Sequence, residues 1–260
     1  MSGAAVPGTL YLVPAPLDFG CGAQAPLGDA LPAGTLRQAA ALTHWICENA
    51  KSLRAYLKRI DALHPLAAPL QEQHMAELPR QVHKKGDHGG SAVFDARPLL
   101  APLLAGHDMG LASEAGMPAV ADPGSSVVRA VHELGARVVP LVGPVSLLLA
   151  LAASGLNGQN FAFVGYLPQE PAARGQRIRE LEALAREQGQ SQLFIETPYR
   201  NAALWQALLQ HLRPDTRLAV AEGLTLAQSR VQCASVRQWR ARGEGGAPDN
   251  RTPAVFALGA

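Results

Sequence analysis

The feature that most constrains the fold of this chain is a regular alternation of short apolar runs and helical segments after Arg97. The residue pattern predicts a helix up to residue 105, strands over 110–113 and 137–142, and helices over 126–134 and 144–153. Strands that alternate with helices in this way form βαβ units, in which the strands are parallel and helices cover both faces of the sheet. The sequence therefore predicts an α/β fold with a mostly parallel sheet.

The alternation continues on both sides of this region. Strands are predicted over 9–13 and 45–47 and an amphipathic helix over 49–60, and further strands and helices follow a polar, glycine-bearing segment over 154–160. Because 260 residues are about right for two domains, we expect an N-terminal α/β domain over 1–156 with a mostly parallel sheet, and a C-terminal α/β domain over 157–260 with a mixed sheet. The stretch over 61–96 is the least regular, and KKGDHGGS at 84–91 predicts a mobile loop.

Composition and charge exclude several classes of protein. The formal net charge is +2, from 23 Lys and Arg against 21 Asp and Glu, so the chain lacks the basic excess of proteins held to nucleic acid mainly by phosphate neutralisation. The cysteines form no CxxC pair, so we expect neither disulfides nor a metal site. The start of the chain lacks the basic region of a signal peptide, and the apolar run over 138–153 is too short for a membrane span. We therefore expect a cytoplasmic protein without a membrane segment.

Three turns after predicted strands are the candidate sites, because ligands of parallel sheets bind beyond the strand ends. The longest is SEAGMPAVADPG over 113–124, whose two glycines allow backbone groups to approach a ligand closely. The alternative is an ordinary connection in which Ser125 or Ser126 caps the next helix.

The other two turns are shorter. VGPVS over 142–146 allows close approach of a ligand at Gly143, and its alternative is a helix start alone. IETPYR over 195–200 brings together a carboxylate, a hydroxyl, an aromatic ring and a guanidinium, and its alternative is a helix capped by Thr197 or Asn201. The chain has no GxxxxGK[ST] loop, no GxGxxG after a strand and no GxSxG elbow, which argues against nucleotide hydrolysis, ordinary dinucleotide binding and α/β-hydrolase chemistry.

Six ordered segments run through nearly the whole chain: GTLYLVP (8–14), SEAGMPAVADPG (113–124), VGPVS (142–146), ASG (153–155), FAFVGYLP (161–168) and ETPYR (196–200). In order and spacing they resemble the tetrapyrrole methylase superfamily of S-adenosylmethionine-dependent methyltransferases. The branch they resemble most is that of the bacterial 16S ribosomal RNA cytidine 2'-O-ribose methyltransferases.

The resemblance implies two α/β domains that bind S-adenosylmethionine in the cleft between them, and assembly as a homodimer. Carried over by position, the cofactor-binding residues of the N-terminal domain are Pro14, Ser113, Glu114, Ala115, Gly116, Val120, Ala121, Asp122, Gly143, Pro144, Val145 and Ser146. Those of the C-terminal domain are Phe194, Ala221 and Ala254.

For catalysis, the resemblance points to Glu48 as a base or substrate-orienting carboxylate and to Asn49 as its hydrogen-bonding partner. The alternative for Glu48 is an acid that complements a helix dipole. The candidate substrate contacts are Glu196, Tyr199 and Arg200. The basic residues of the predicted helix over 49–60, which are Lys51, Arg54, Lys58 and Arg59, either meet RNA phosphate or form a solvated helix face.

The chain departs from the ribosomal RNA branch on its substrate side. Asn49 and Glu114 each stand where that branch has an aspartate, Leu226 stands where it has a cation, and PLDFG at 16–20 lacks its Gly-Asn pair. The resemblance implies an S-adenosylmethionine-dependent methyltransferase that acts on a ribose of ribosomal RNA, and the departures indicate a divergent subgroup in which that substrate stays open. The alternatives are a methyltransferase for a small molecule, such as a tetrapyrrole-like metabolite, and an S-adenosylmethionine-binding protein without turnover.

Overall fold

The computed structural model describes residues 6–79, 81–82, 87 and 94–260. The chain divides into two compact units: residues up to Phe19 with Ala25–Val145, and Gly20–Gln24 with Ser146–Ala260. Each unit contains a five-stranded sheet. The boundary predicted at residue 156 stays a prediction about independently folding domains. The mobile loop predicted over 84–91 lies outside the described residues, except for Asp87.

The sheet of the first unit is parallel throughout, which confirms the predicted α/β class. Its strands are β1 (Thr9–Leu12), β2 (His44–Cys47), β3 (His74–Glu77), β4 (Met109–Ala112) and β5 (Arg137–Pro140). They lie in the order β3-β2-β4-β1-β5. Strand β3 lies in the stretch that the sequence predicts to be irregular. It is a half-exposed edge strand with the sequence HMAE, so it lacks the apolar run that marks a buried strand.

Helices cover both faces of this sheet. They are α1 (Leu27–Ala30), α2 (Ala33–Ala40), α3 (Ala50–Asp61), α4 (Ala101–Leu104) and α5 (Ser125–Glu133). Trp45 and Ile46 are successive residues of β2, and their side chains belong to separate apolar cores, one with α2 and α3 and the other with α4 and α5. Successive strand residues point to opposite faces of a sheet, so the two cores lie on its two sides.

Helix α3 forms where the sequence predicts an amphipathic helix. Its buried residues are Leu53, Tyr56, Leu57 and Ile60, a spacing that places them on one helical face. Asn49 begins the helix, because its side chain accepts hydrogen bonds from the backbone N–H groups of Lys51 and Ser52. From this helix, Ser52 donates to Glu114, which follows β4, and Arg59 pairs with Asp18, which follows β1.

The second unit contains a mixed sheet, as predicted. Its strands are β6 (Phe161–Tyr166), β7 (Ser191–Glu196), β8 (Arg217–Glu222), β9 (Arg230–Ser235) and β10 (Ala254–Gly259), in the order β6-β7-β10-β8-β9. Only the pair β6 and β7 is parallel among them. The helices of this unit are α6 (Ser146–Ser154), α7 (Pro171–Gln188), α8 (Asn201–His211) and α9 (Val236–Arg242). Its core includes Trp205 and Trp239, which meet edge to face with ring centroids 5.1 Å apart.

Within the described ranges, no helix is both long and apolar enough to cross a membrane. The same ranges contain no group of three or more His, Cys, Asp or Glu residues that could hold a metal ion.

Candidate active site

The candidate residues of the first unit meet beyond the carboxyl ends of its parallel strands. Pro14 follows β1, Glu48 follows β2, Ser113 follows β4 and Gly143 follows β5. Because all strands of the sheet run in one direction, these four ends share one edge. The structure therefore brings together residues that lie up to 129 positions apart in the chain, from Pro14 to Gly143.

The loop over 113–124 is pinned to the end of β1. Gly116 and Ala15 exchange two backbone hydrogen bonds, with N···O distances of 2.9 and 3.0 Å. Gly116 has a φ of +72°, a conformation that glycine adopts without strain. Ala119 and Ala121, with φ values of +64° and +66°, occupy the left-handed region despite having a Cβ. Such strain persists only where the surroundings impose it, and it concentrates at ligand sites.

Gly143 packs directly on Pro14. A Cβ on Gly143 would lie 2.3 Å from the Pro14 Cγ atom, so only glycine permits this approach of the two loops. The Pro14 carbonyl accepts a 2.7 Å hydrogen bond from the buried Tyr56 hydroxyl. The Val142 carbonyl likewise accepts from the Thr35 hydroxyl at 2.7 Å. Both loops are thus held to the helices of the first unit.

Three carboxylates gather at this edge. The Glu48 Oε1 atom accepts a hydrogen bond from the Glu114 backbone N–H at 3.2 Å, and the Glu114 Oε1 atom accepts from the Ser52 hydroxyl at 2.7 Å. Burial and then the charges of Glu48 and Glu114 raise the pKa of Asp122 to about 7. A carboxyl group with this pKa exchanges its proton at neutral pH, which a proton acceptor in catalysis must do.

The Ser113 hydroxyl is a further polar group at the same edge. Ser113 is buried, and its Oγ atom has no hydrogen-bond partner among the described residues. Buried polar groups are nearly always hydrogen-bonded, so a bound water or a group from a ligand completes this one. The neighbouring carboxylates favour a ligand with positive charge.

The side chains of Asn49 and of Glu77 accept hydrogen bonds from backbone N–H groups at the start of α3. Asn49 is exposed and its side-chain oxygen caps the helix, with N···O distances of 2.9 and 3.2 Å. The Glu77 carboxylate, which sequence reasoning missed, accepts from the Ala50 N–H at 2.7 Å. The catalytic roles of Glu48 and Asn49 stay predictions.

Asp87 is a second residue that the sequence did not reveal, and it holds the end of the loop over 113–124. Its carboxylate accepts hydrogen bonds from the backbone N–H groups of Gly124 and Ser126 at 2.9 and 2.7 Å and from the Ser125 hydroxyl at 2.8 Å. These bonds lower the pKa of Asp87 to about 2 against the effect of its burial. The alternative in which Ser125 or Ser126 caps α5 was wrong: Gly124 is the N-cap residue, and the capping carboxylate comes from a distant part of the chain.

The basic residues of α3 divide into two groups. Lys51, Arg54 and Lys58 are exposed, which fits both a solvated helix face and contact with RNA phosphate. Arg59 differs, because its guanidinium makes a two-point ion pair with the buried Asp18 carboxylate, with N···O distances of 3.0 and 2.9 Å.

The cofactor candidates of the second unit lie on three adjacent strands. Ala221 pairs with Val255 and Phe194 pairs with Phe256, next to Ala254 at the start of β10. All three candidates are buried, and the Phe194 ring stacks on Phe256 with centroids 5.9 Å apart. Their cofactor-binding role stays a prediction.

The substrate candidates form a self-contained turn after β7. The buried Glu196 carboxylate accepts hydrogen bonds from the Arg200 Nε atom at 3.0 Å and from the Thr197 N–H at 2.8 Å. Tyr199 is 71% exposed, and the Arg200 guanidinium carbon lies 5.3 Å from the centre of its ring. Neither Thr197 nor Asn201 provides a side-chain cap. The Asn201 side chain instead donates to the carbonyls of Asp249 and Thr252. Contact with substrate stays a prediction for all three candidates.

Curated relatives of this chain are ribosomal RNA methyltransferases by name. Ribosomal RNA small subunit methyltransferase I of Vibrio cholerae is 34% identical over 145 residues, which cover 56% of this chain and 49% of the relative. The protein of the same name from Leptospira biflexa is 30% identical over 189 residues, covering 72% of this chain and 68% of the relative. The chain thus spans about half the length of the Vibrio relative and about two thirds of the Leptospira one.

Solved structures share the fold at low sequence identity. Uroporphyrin-III-C-methyltransferase from Thermus thermophilus matches with a TM-score of 0.51 and 18% identity, covering 97% of this chain and 94% of that one. The methyltransferase CobJ matches with a TM-score of 0.54 and 18% identity, covering 98% and 94%. The family model for Tetrapyrrole (Corrin/Porphyrin) Methylases matches residues 35–238. The chain therefore belongs to the tetrapyrrole methylase family.

Proposed function

We propose that this protein is an S-adenosylmethionine-dependent methyltransferase that methylates a ribose 2'-hydroxyl in small-subunit ribosomal RNA. The observation that carries the proposal is the group formed by the Glu114 and Asp122 carboxylates of the loop over 113–124 and the adjoining Glu48 carboxylate, in which burial and the two other charges raise the pKa of Asp122 to about 7. A hydroxyl acceptor has to lose a proton during methyl transfer, so a carboxylate that accepts one near neutral pH suits this reaction.

The first-unit residues fit the cofactor in two respects. The Ser113 hydroxyl, which has no hydrogen-bond partner in the described part of the chain, supplies a hydrogen-bonding group for the amino-acid part of the molecule. The carboxylates of Glu48, Glu114 and Asp122 complement its positive sulfonium and ammonium groups. When bound, S-adenosylmethionine supplies an activated methyl group, so alignment and proton removal are left to the protein.

Within this proposal the carboxylates have separate tasks. Asp122 accepts the proton from the acceptor hydroxyl. Glu48 keeps the loop in place through the Glu114 N–H. Its charge adds to the effect of burial in raising the pKa of Asp122. Glu114 adds to the same charge effect and orients Ser52.

Relatives named as ribosomal RNA small subunit methyltransferases support RNA as the acceptor. A small-molecule acceptor is the second candidate, and it is favoured by the modest net charge of +2, which suits a substrate without a phosphate backbone. The predicted homodimer and cytoplasmic location remain predictions; sedimentation of the purified protein tests the first.

The experiment incubates the protein with methyl-labelled S-adenosylmethionine and either 30S ribosomal subunits or an RNA-free metabolite extract. Label in alkali-resistant dinucleotides of 16S RNA supports the proposal, because a 2'-O-methyl group blocks alkaline cleavage. Label only in the extract supports the second candidate. Cofactor binding without labelled product in either fraction supports a binding protein without turnover.

A further inference from the structure

A small pocket next to the carboxylates of the site is not used by the mechanism above. It has a volume of about 100 Å³ and lies within the first unit, beside α3 and the segment that follows β1. Its lining includes Phe19, Ser52, Ala55, Arg59, Ser113 and Glu114. Ser113 and Glu114 also belong to the loop over 113–124, so the pocket adjoins the proposed cofactor site.

The pocket presents fixed hydrogen-bonding groups. The Arg59 guanidinium donates to both Asp18 carboxylate oxygens, at 3.0 and 2.9 Å, and to the Ala25 carbonyl at 2.7 Å. A guanidinium has five N–H donors, so two remain without a partner among the described residues. Asp18 is only 3% exposed, which makes this pair a rigid part of the wall.

The charges of the pocket argue against an anionic occupant. The positive charge of Arg59 is paired with Asp18, and Glu114 adds a negative charge to the lining. A phosphate or a carboxylated macrocycle would therefore meet net repulsion. A neutral group with both hydrogen-bond acceptors and donors suits the Glu114 carboxylate and the two Arg59 N–H groups that no other described residue engages.

An aromatic ring completes the pocket. Phe19 lines it and is 47% exposed, so its ring offers a surface to a planar ligand. Stacking on an aromatic side chain together with hydrogen bonds to the ring edge is how proteins hold unpaired nucleobases. The small volume admits one such ring and excludes a tetrapyrrole.

We propose that the pocket formed by Phe19, Ala55, Arg59 and Glu114 holds the nucleobase of the methyl-accepting nucleotide. The base stacks on Phe19, and Arg59 and Glu114 contact its edge. This inference rests on the proposed function, since it gives the acceptor RNA a place beside the reacting carboxylates.

Three variants test the pocket in the methylation assay with 30S subunits. Phe19→Ala removes the stacking surface, Phe19→Trp keeps one, and Ala55→Leu narrows the pocket from an exposed helix position. We expect Phe19→Ala to raise the KM for RNA about 5- to 150-fold, the range for loss of one base stack. Ala55→Leu should raise it as well, whereas Phe19→Trp should stay near the wild type. Ala183→Leu, at an exposed position of α7, is the matched control.

Cofactor affinity distinguishes failure of the nucleobase pocket from failure of the proposed methyltransferase function. All variants should bind S-adenosylmethionine as the wild type does. An unchanged KM in both Phe19→Ala and Ala55→Leu, or weaker cofactor binding in both, would overturn the nucleobase pocket and leave the methyltransferase proposal intact. If the wild type methylates no RNA, the proposed function fails instead.

A binding measurement tests the pocket without turnover. Cytidine, uridine, adenosine and guanosine are titrated into the 15N-labelled protein at millimolar concentration. At least one nucleoside should shift the backbone amide signals of Ser52 and Ala55, and Ala55→Leu should abolish the shift. If no nucleoside shifts these signals, the pocket does not hold a base.

Discussion

The backbone nitrogen of Glu114 lies 3.2 Å from the Glu48 Oε1 atom, a hydrogen bond that ties the loop after β4 to the residue after β2. The same Glu48 carboxylate raises the pKa of Asp122. Burial is the larger cause of that raised pKa, and the Glu48 charge adds to it. One side chain therefore positions the loop and also raises the pKa of its neighbour.

Replacing Glu48 by glutamine separates these two effects. The amide oxygen keeps an acceptor for the Glu114 N–H, but the charge that raises the pKa of Asp122 is lost. In the wild type, kcat/KM should fall below about pH 7 as Asp122 is protonated. In Glu48→Gln, this fall of kcat/KM on the acidic side of the pH profile (the acidic limb) should move to lower pH. A pH profile of methyl transfer measures this shift, and an unshifted limb would contradict the claim that the Glu48 charge raises the pKa of a catalytic Asp122.

Gly143→Ala should lower the stability of the protein and weaken its binding of S-adenosylmethionine through a steric clash alone. The added Cβ would lie 2.3 Å from Pro14 Cγ and 2.5 Å from Pro14 Cβ, a clash with a rigid ring. Overpacking of this kind costs about 1–3 kcal/mol, and the displaced loops should bind S-adenosylmethionine at least tenfold more weakly. Calorimetric titration and urea unfolding measure the two effects. Gly158→Ala is the control, because its Cβ would meet no atom within 4 Å; equal behaviour of the two variants would contradict the account.

Asp87→Ala should destabilise the first unit by about 0.5–2 kcal/mol, the range for loss of a helix cap. The folded state lowers the pKa of Asp87 from 3.8 to about 2, so its contribution is present above pH 3.8 and is lost as the pH falls toward 2. The difference between wild type and variant should therefore shrink over that acid range. Urea unfolding at several pH values measures this, with the exposed Asp29→Ala as control. A difference that does not change with pH would refute the charged cap.

Three stacked histidines lie at the amino ends of the strands of the first sheet, and they should make stability depend on pH in a higher range than Asp87 does. The ring of His44 lies between those of His74 and His107, at centroid distances of 4.6 and 4.5 Å. Burial, then His107, then His74 lower the pKa of His44 below 6.5. The unfolded chain therefore binds the proton more readily, and stability should fall as the pH drops below 6.5.

His107→Gln tests this stack, because it removes the neighbour that lowers the pKa of His44 most. The melting temperature of the wild type should decrease between about pH 7.5 and pH 5.5. The decrease should be smaller in the variant. His64→Gln, outside the stack, is the control, and an equal decrease in all three proteins would count against coupling among the histidines.

Sequence patterns were sufficient for features that depend on local periodicity. The parallel sheet, the mixed sheet and helix α3 follow from apolar runs and helical spacing, and glycine and proline spacing marked the loop over 113–124. Strand β3 was missed because an edge strand with one exposed side needs no apolar run. Its sequence contains a single large apolar residue, Met75.

Long-range contacts explain the rest of what the sequence could not reveal. Asp87 caps a helix that begins 38 residues later at Ser125, and no local motif records such a pairing. The left-handed backbone of Ala119 and Ala121 is equally invisible, since alanine is not a residue expected there. The raised pKa of Asp122 depends on carboxylates from two other positions that only the fold brings close.

The central claim is that the loop over 113–124 binds S-adenosylmethionine, and calorimetric titration of wild type and Gly116→Trp tests it most directly. Gly116 is buried with a φ of +72°, whereas Gly135 has a φ of +69° and open space around it, so Gly135→Trp carries similar backbone strain away from the site. Wild type and Gly135→Trp should bind the cofactor with micromolar affinity, and a folded Gly116→Trp should not. Absence of binding by the wild type, or equal binding by all three proteins, would contradict the account.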